Sequence, residues 1–169
     1  MNDVRRPALR PLRWWDIDAV MAIEADLFGD ESWSVAMFWS ELAEHDSRYY
    51  LVAEDDGDVV GYAGLCAYPG ESFVQTLAVR RGRQGRGIGS ALLTALIEEA
   101  SRRSMPTLGL EVRADNRAAQ RLYERLGFER VGVRKGYYQP SDTDAVLMLL
   151  RLPAPLAPAA HAAGRTSGG

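Results

Sequence analysis

The stretch that decides the fold is Leu77-Ala78-Val79-Arg80-Arg81-Gly82-Arg83-Gln84-Gly85-Arg86-Gly87-Ile88-Gly89-Ser90. An apolar strand, Phe73 to Val79, leads into it. Leu92, Leu93, Leu96, Ile97 and Ala100 follow at the spacing of one amphipathic helix face. From Arg80 to Ser90 the turn holds four arginines and four glycines. Glycine allows positive φ and lets backbone approach a ligand closely, because no Cβ intervenes. A helix start offers unpaired N–H groups and the positive end of the helix dipole. Strand, glycine turn and helix together make an anion site, for which phosphate is the natural guest. A turn that merely connected strand to helix would not need three alternating glycines, each of which weakens the backbone entropically.

Outward from this turn, strands and helices alternate. Leu9 to Trp14 predicts a short strand, and Asp16 an N-cap for a helix running to Phe28. Ser34 is placed to cap a second helix through Glu44. Tyr49–Glu54 and Val59–Tyr68 are strand-like and joined by Asp55-Asp56-Gly57-Asp58, whose Asp-Gly pair signals a hairpin. Met105-Pro106 ends the helix after the glycine turn, and Thr107 to Arg113 predicts the next strand. Asp115 or Asn116 then caps a helix with Ala119, Leu122, Tyr123 and Leu126 on its apolar face and Gly127 as its stop. Phe128–Arg134 and Ala145–Leu152 close the sheet around a loop carrying Tyr137, Tyr138 and Pro140. The pattern implies an α/β fold with a mixed sheet covered by helices.

A chain of 169 residues is one domain's worth, and an apolar share of 47% with 25% charged residues fits a globular protein. The domain is expected over 9–151, between a flexible 1–8 and a disordered Pro/Ala/Gly-rich tail at 152–169. The net charge of −3 argues against a nucleic-acid partner. Cys66 is alone, so no intrachain disulfide can form, and its apolar strand makes it a core residue. No apolar run reaches the about 20 residues of a membrane span, and no signal peptide opens the chain, so a cytoplasmic protein without a membrane partner is expected. His45 and His161 are isolated, which leaves neither a metal cluster nor a Ser-His-Asp set.

The phosphate ligand is constrained by what the turn lacks. A Walker loop needs a lysine after its last glycine, and none is present. Gly85-Arg86-Gly87-Ile88-Gly89-Ser90 misses the dinucleotide fingerprint only at its last position, with Glu111 placed where an acidic ribose partner would lie. Too little chain remains after the turn for the second half of a dinucleotide fold, and that fold does not explain the hairpins before it.

Gln84-x-x-Gly87-x-Gly89, after Leu77-Ala78-Val79 and before an amphipathic helix, resembles the acetyl-CoA signature of the GCN5-related N-acetyltransferases. The resemblance covers about residues 9–150. It is narrower toward the ribosomal-protein-alanine N-acetyltransferases, through Leu110-Glu111-Val112-Arg113, Asn116, Leu122-Tyr123-x-x-x-Gly127-Phe128, Arg134-x-x-Tyr137-Tyr138 and Trp33-Ser34. Arg80-Arg81 departs from the Asp-Pro often found there, which bears on the turn's approach more than on its phosphate contacts.

The resemblance implies a mixed, mostly antiparallel sheet of about seven strands with a splayed strand pair for acetyl-CoA. Its diphosphate would sit on Gly85, Arg86, Gly87, Ile88, Gly89 and Ser90, and its pantetheine beside Leu77, Ala78 and Val79. Asn116 would touch the cofactor, cap its helix, or do both. Glu111 would be the base, although by residue type alone it reads rather as a solvated carboxylate or one paired with Arg113 on the same strand face. Gly109 beside it implies open space. Transfer from an α-amine of pKa near 8 to a glutamate near 4.3 is uphill by about 5 kcal/mol, so a water relay is expected. Tyr123 would be the acid toward the departing thiolate, although its helix position also suits core packing. A phenol near 10 and a thiol near 8.5 make complete transfer cost roughly 2 kcal/mol, so a strengthening hydrogen bond suffices. Trp33, Tyr137 and Tyr138 would flank a peptide slot, or the tyrosines would simply cover a sheet edge. The implied activity is acetyl transfer to a protein N-terminal amine, with a ribosomal protein as partner, by a monomer or weak dimer. A small-molecule amine acetyltransferase and a non-catalytic acyl-CoA sensor are the alternatives.

Overall fold

The computed structural model describes residues 6–154. Seven strands form one sheet in the order β1-β2-β3-β4-β5-β7-β6. They are β1 (Ala8–Pro11), β2 (Arg48–Asp55), β3 (Asp58–Tyr68), β4 (Glu71–Val79), β5 (Thr107–Arg113), β6 (Glu129–Tyr138) and β7 (Thr143–Arg151). Four α-helices cover it: α1 (Ile17–Phe28), α2 (Val35–Ala43), α3 (Ile88–Arg102) and α4 (Arg117–Arg125). Every neighbouring pair is antiparallel except β4 and β5. Alternation along β2 sends Leu51 and Ala53 to one face and Tyr50 and Val52 to the other, so each face builds a core. On one side Leu92, Leu93 and Leu96 of α3 are fully buried with Leu108 of β5; each such side chain stabilises the fold by roughly 1.5–3 kcal/mol. On the other, Val20 and Phe38 pack on Tyr62 and Val52.

Local rules hold at the expected places. The hairpin turn has positive φ at Asp56 and Gly57. Ser34 Oγ accepts the Met37 N–H at 3.2 Å, and Asn116 Oδ1 accepts the Ala119 N–H at 3.1 Å. Gly127 ends α4 at φ +98°. Cys66 is buried.

Four expectations need correction. The first strand is Ala8–Pro11, and Trp14–Asp16 is a 3₁₀ turn rather than a strand end. Asp16 does not cap α1 with its side chain; it accepts the Arg13 N–H at 2.8 Å and two Arg10 nitrogens at 2.7 Å, and Arg10 holds its carboxyl below the usual range. Tyr137 and Tyr138 end strand β6 instead of lying in the loop beyond it. The chain stays ordered past 151, since the Leu152 N–H donates to the Pro106 carbonyl at 2.9 Å. Residues 1–5 and 155–169, most of the expected loose ends, lie outside the described residues.

The feature that positions the site is the β4–β5 pair. Only Ser72↔Leu108 and Phe73↔Gly109 are in register, and Ser72 Oγ clamps that end by donating to the Thr107 carbonyl at 2.6 Å. Immediately beyond, β4 carries an irregularity: Val74 faces Leu65 and Thr76 faces Gly64, which leaves Gln75 as the extra residue. A bulge bends its strand, and β4 makes no further pairs with β5. Gly64 sits at this bend, where an added Cβ would fall 2.3 Å from the Tyr50 ring. Gly64→Ala should therefore destabilise the protein by about 1–3 kcal/mol, read as a lower urea midpoint with an unchanged slope.

Candidate active site

The splay opens a cleft of about 510 Å³ lined by Leu77, Ala78 and Val79 of β4, by the glycine turn, and by α4 from Asn116 to Arg125. Leu27 and Phe28, at the end of α1, complete it. Arg80 donates its N–H back to Val60 of β3, so by strand alternation the main-chain groups of Leu77 and Val79 point into the gap. The Val79 carbonyl is reached by the Gln84 side-chain amide at 3.1 Å, which ties the turn to the strand.

The turn itself is an open cradle. Gly85 has φ +75° and Gly87, which caps α3, has φ +82°; a Cβ at either would meet no atom within 4 Å. Nothing in the protein fills that space, which matches a backbone shaped to receive a phosphate group. Gly89 differs: a Cβ there would come within 3.3 Å of Leu122, so this glycine lets α4 approach α3. Ile88 buries its side chain in the core, and Ser90 lines the cleft. Arg86 is exposed and outside the cleft lining. Two of the turn's four arginines are already paired, Arg81 with Asp26 at 3.2 Å and Arg83 with Asp55. Arg121 and Arg125, on α4, line the cleft as well and were not anticipated, although RAAQRLYER places arginines at i, i+4 and i+8.

The two reactive candidates stand on opposite faces of β5. Tyr123 is 7% exposed, packs on Phe128 at 5.9 Å between ring centroids, and still lines the cleft. Burial raises its phenol well above the ordinary value, with the Tyr138 hydroxyl adding to the shift. Glu111 lies on the other face. Its carboxylate pairs with Arg134 at 3.3 Å rather than with Arg113. Tyr137 sits beside Glu111, and the hydrogen bond its hydroxyl donates to that carboxylate raises the phenol. Burial first, then the charge of Glu111, pushes Tyr138 up to about 12. Tyr138 is thus within electrostatic reach of both Glu111 and Tyr123 across the gap. The open space expected beside Gly109 is absent, because the Phe73 ring of the neighbouring strand occupies it at 3.1 Å from a built Cβ.

Trp33 stands apart. Its ring packs on Phe38 at 5.2 Å between centroids, and its main-chain N–H donates to buried Glu24 at 3.0 Å. Glu24 also accepts the Tyr62 hydroxyl at 2.7 Å, and burial pushes its carboxyl up. Trp33 therefore anchors the connector between α1 and α2 and is absent from the lining of the β4–β5 cleft. That connector forms one wall of a second cleft of about 460 Å³, with Leu27 and Phe28 shared between the two. Its other wall is Arg113, Pro140 and Ser141. Glu31 joins the walls: it pairs with Arg113 and accepts from Ser141 Oγ at 2.5 Å. Arg113 also grips Asp115 through two 3.0 Å contacts and lies 5.4 Å over the Tyr138 ring. Sequence reading missed this network, because its members lie up to 110 positions apart.

A profile of the acetyltransferase (GNAT) family matches residues 14–128. The chain belongs to that family. It is 42% identical over 138 residues to the N-alpha-acetyltransferase RimI of Mycobacterium tuberculosis, covering 79% of this chain and 85% of the relative. The crystal structure of the ribosomal-protein-S18-alanine N-acetyltransferase from Escherichia coli superposes with a TM-score of 0.78 at 33% identity, over 86% of this chain and 93% of that one. The Salmonella typhimurium protein yncA, solved with its cofactor acetyl-CoA, superposes with a TM-score of 0.74 at 25% identity, over 91% and 98%. This GNAT protein is an acetyl-CoA-dependent N-acetyltransferase. Among the described residues no group of three His, Cys, Asp or Glu side chains is placed to hold a metal, and no helix is long and apolar enough to cross a membrane.

The hydrogen bond from Ser141, then the pairing with Arg113, hold the Glu31 carboxyl below its usual range. A depressed pKa contributes stability that is complete above the unfolded value near 4.3 and is lost as pH falls through the lower folded value. Glu31→Gln should lower the melting temperature at pH 7, and the gap to the parent protein should close as pH falls below about 4. A gap independent of pH would mean that the carboxylate's charge is not what joins the two walls.

Proposed function

We propose that the protein transfers the acetyl group of acetyl-CoA to the N-terminal α-amine of a ribosomal protein, by direct attack within a ternary complex in the cytoplasm. The observation that carries the reading is the gap between β4 and β5, with Tyr123 on one side, Glu111 and two tyrosines on the other, and a second cleft leading in from the Glu31–Arg113 side. The kinship with enzymes named for acetylating the alanine of ribosomal protein S18 supplies the substrate class.

In this reading Leu77 and Val79 offer their main chain to the pantetheine. Gly85 to Ser90 cradle the diphosphate, with Arg86 near the turn's outer edge, and Asn116 adds a contact beside its cap. When bound, acetyl-CoA supplies an activated acyl carbon. Glu111 draws the amine's proton into a chain of water that carries it outward to solvent. A strand N–H of the Leu77–Val79 segment stabilises the carbonyl oxygen as charge gathers on it. Tyr123, kept neutral by burial, donates a hydrogen bond to the sulfur as it departs. Tyr137 and Tyr138 flank the peptide, and Trp33 contributes by holding the α1–α2 connector in place. The protein works as a monomer or weak dimer.

Purified protein given acetyl-CoA should release free thiol with short peptides bearing N-terminal Ala or Ser. Turnover with polyamines or aminoglycosides but not peptides would replace this reading with small-molecule acetylation, and binding without any turnover would make the protein an acyl-CoA sensor. Glu111→Gln should slow peptide acetylation by about 10²-fold near neutral pH, the scale of general-base loss, and by less above the amine's pKa of about 8. An equal loss at every pH would remove Glu111 from proton transfer.

A further inference from the structure

Coenzyme A carries three phosphorus centres: two in the diphosphate and a third as a monoester on the ribose 3′ oxygen. The glycine turn and the start of α3 account for the first two. Across the cleft, α4 presents Arg117, Arg121 and Arg125 at i, i+4 and i+8, one stripe along a nine-residue helix. Arg121 and Arg125 line the cleft. Neither makes a side-chain hydrogen bond or ion pair among the described residues, although Arg81, Arg83, Arg103, Arg113 and Arg130 all pair with acids.

Their place along the helix fixes which part of the ligand they meet. Leu122 lies between them in sequence and abuts Gly89 in the first turn of α3, within 3.3 Å of a built Cβ. Arg121 and Arg125 therefore flank the part of α4 that packs on the first turn of α3, where the glycine turn opens into the cleft. Although its net charge is −3, the protein leaves both of these cleft-lining cations without an acid partner among the described residues, as it does Arg86 of the turn and Arg117 of α4. Guanidinium is suited to forked contact with a phosphate monoester.

From this we infer that Arg121 and Arg125 form a subsite for the 3′-phosphate of coenzyme A, so that the protein distinguishes coenzyme A from 3′-dephospho-coenzyme A. The inference rests on the acetyl-CoA reading of the cleft and adds to it a selectivity that the glycine turn cannot provide. A bland alternative exists for Arg125, which complements the negative end of the α4 dipole. That role would affect stability and not ligand choice.

Calorimetric titration of the full chain with each ligand separates the possibilities. The parent protein should bind coenzyme A roughly tenfold more tightly than the dephospho form, the scale of a charge-assisted pair, and the ratio should shrink with added salt. Arg121→Gln with Arg125→Gln should bind both forms alike, at the parent's dephospho affinity, with each single variant intermediate. Equal affinity of the parent protein for the two forms overturns the subsite whatever the variants do. A double variant that loses affinity for both forms equally overturns it too, since the arginines would then serve the diphosphate or the fold. If the parent binds neither form, the acetyl-CoA reading of the cleft fails first.

Discussion

The organisation of this protein depends on β4 and β5 being held together at one end and apart at the other. Two registered pairs and the Ser72–Thr107 hydrogen bond close the near end. The extra residue at Gln75 then bends β4 away. Parting two neighbours in the middle of a sheet leaves main-chain donors and acceptors without partners, at a cost comparable to a lost hydrogen bond for each buried group. A ligand running along the gap like an added strand would satisfy those groups. The Gln84 amide on the Val79 carbonyl already satisfies one of them from the turn side.

The gap also separates chemistry in space. Strand alternation puts Leu108, Leu110 and Val112 in the core with Tyr123, and Glu111 on the opposite face with Arg134, Tyr137 and Tyr138. Glu111 and Tyr123 are thus separated by the sheet instead of meeting beside it, and their environments diverge. Tyr123 is buried and its phenol is held neutral, whereas the Glu111 face is shared with exposed Arg134 and half-exposed Tyr137. Tyr138 is the residue whose electrostatic surroundings include both.

Local signals carried most of the fold. The Asp56-Gly57 turn, the Ser34 and Asn116 caps, the α3 face and the stop at Gly127 are each decided within a few residues, and each is present. The glycine turn was legible for the same reason, since positive φ at Gly85 and Gly87 is a local demand. The misses are nonlocal. Asp16 looked like a cap because its neighbours are helical, but Arg10 reaches back from β1 and claims it. Gly109 looked like open space because the pairing of Phe73 beside it depends on sheet order. The Glu31–Ser141–Arg113 network joins three segments that no spacing rule relates. Arg134 replaced Arg113 as the partner of Glu111 because β6 returns beside β7 and Arg113 is drawn to Asp115 and Glu31.

The acids on the Glu111 face are held with very different strength, and the difference bears on which one can act. Glu24 is 2% exposed and bonded on both oxygens, to Tyr62 and to the Trp33 N–H. Removing either partner would strand a buried charge, so Glu24 is fixed as structure. Glu31 is held by Arg113 and Ser141, with side chains 15% and 24% exposed for the ion pair, and spans two chain segments. Glu111 has one ionic contact, at 3.3 Å, to an arginine whose side chain is 57% exposed. Exposed pairs of this kind contribute roughly 0–1 kcal/mol and are screened by salt. Arg134 can therefore leave Glu111 at little cost and without unsettling the core, although Tyr137 stays beside it. Of the three carboxylates Glu111 is the one whose ionic partner is most readily displaced, which is the condition that the proposed proton transfer sets.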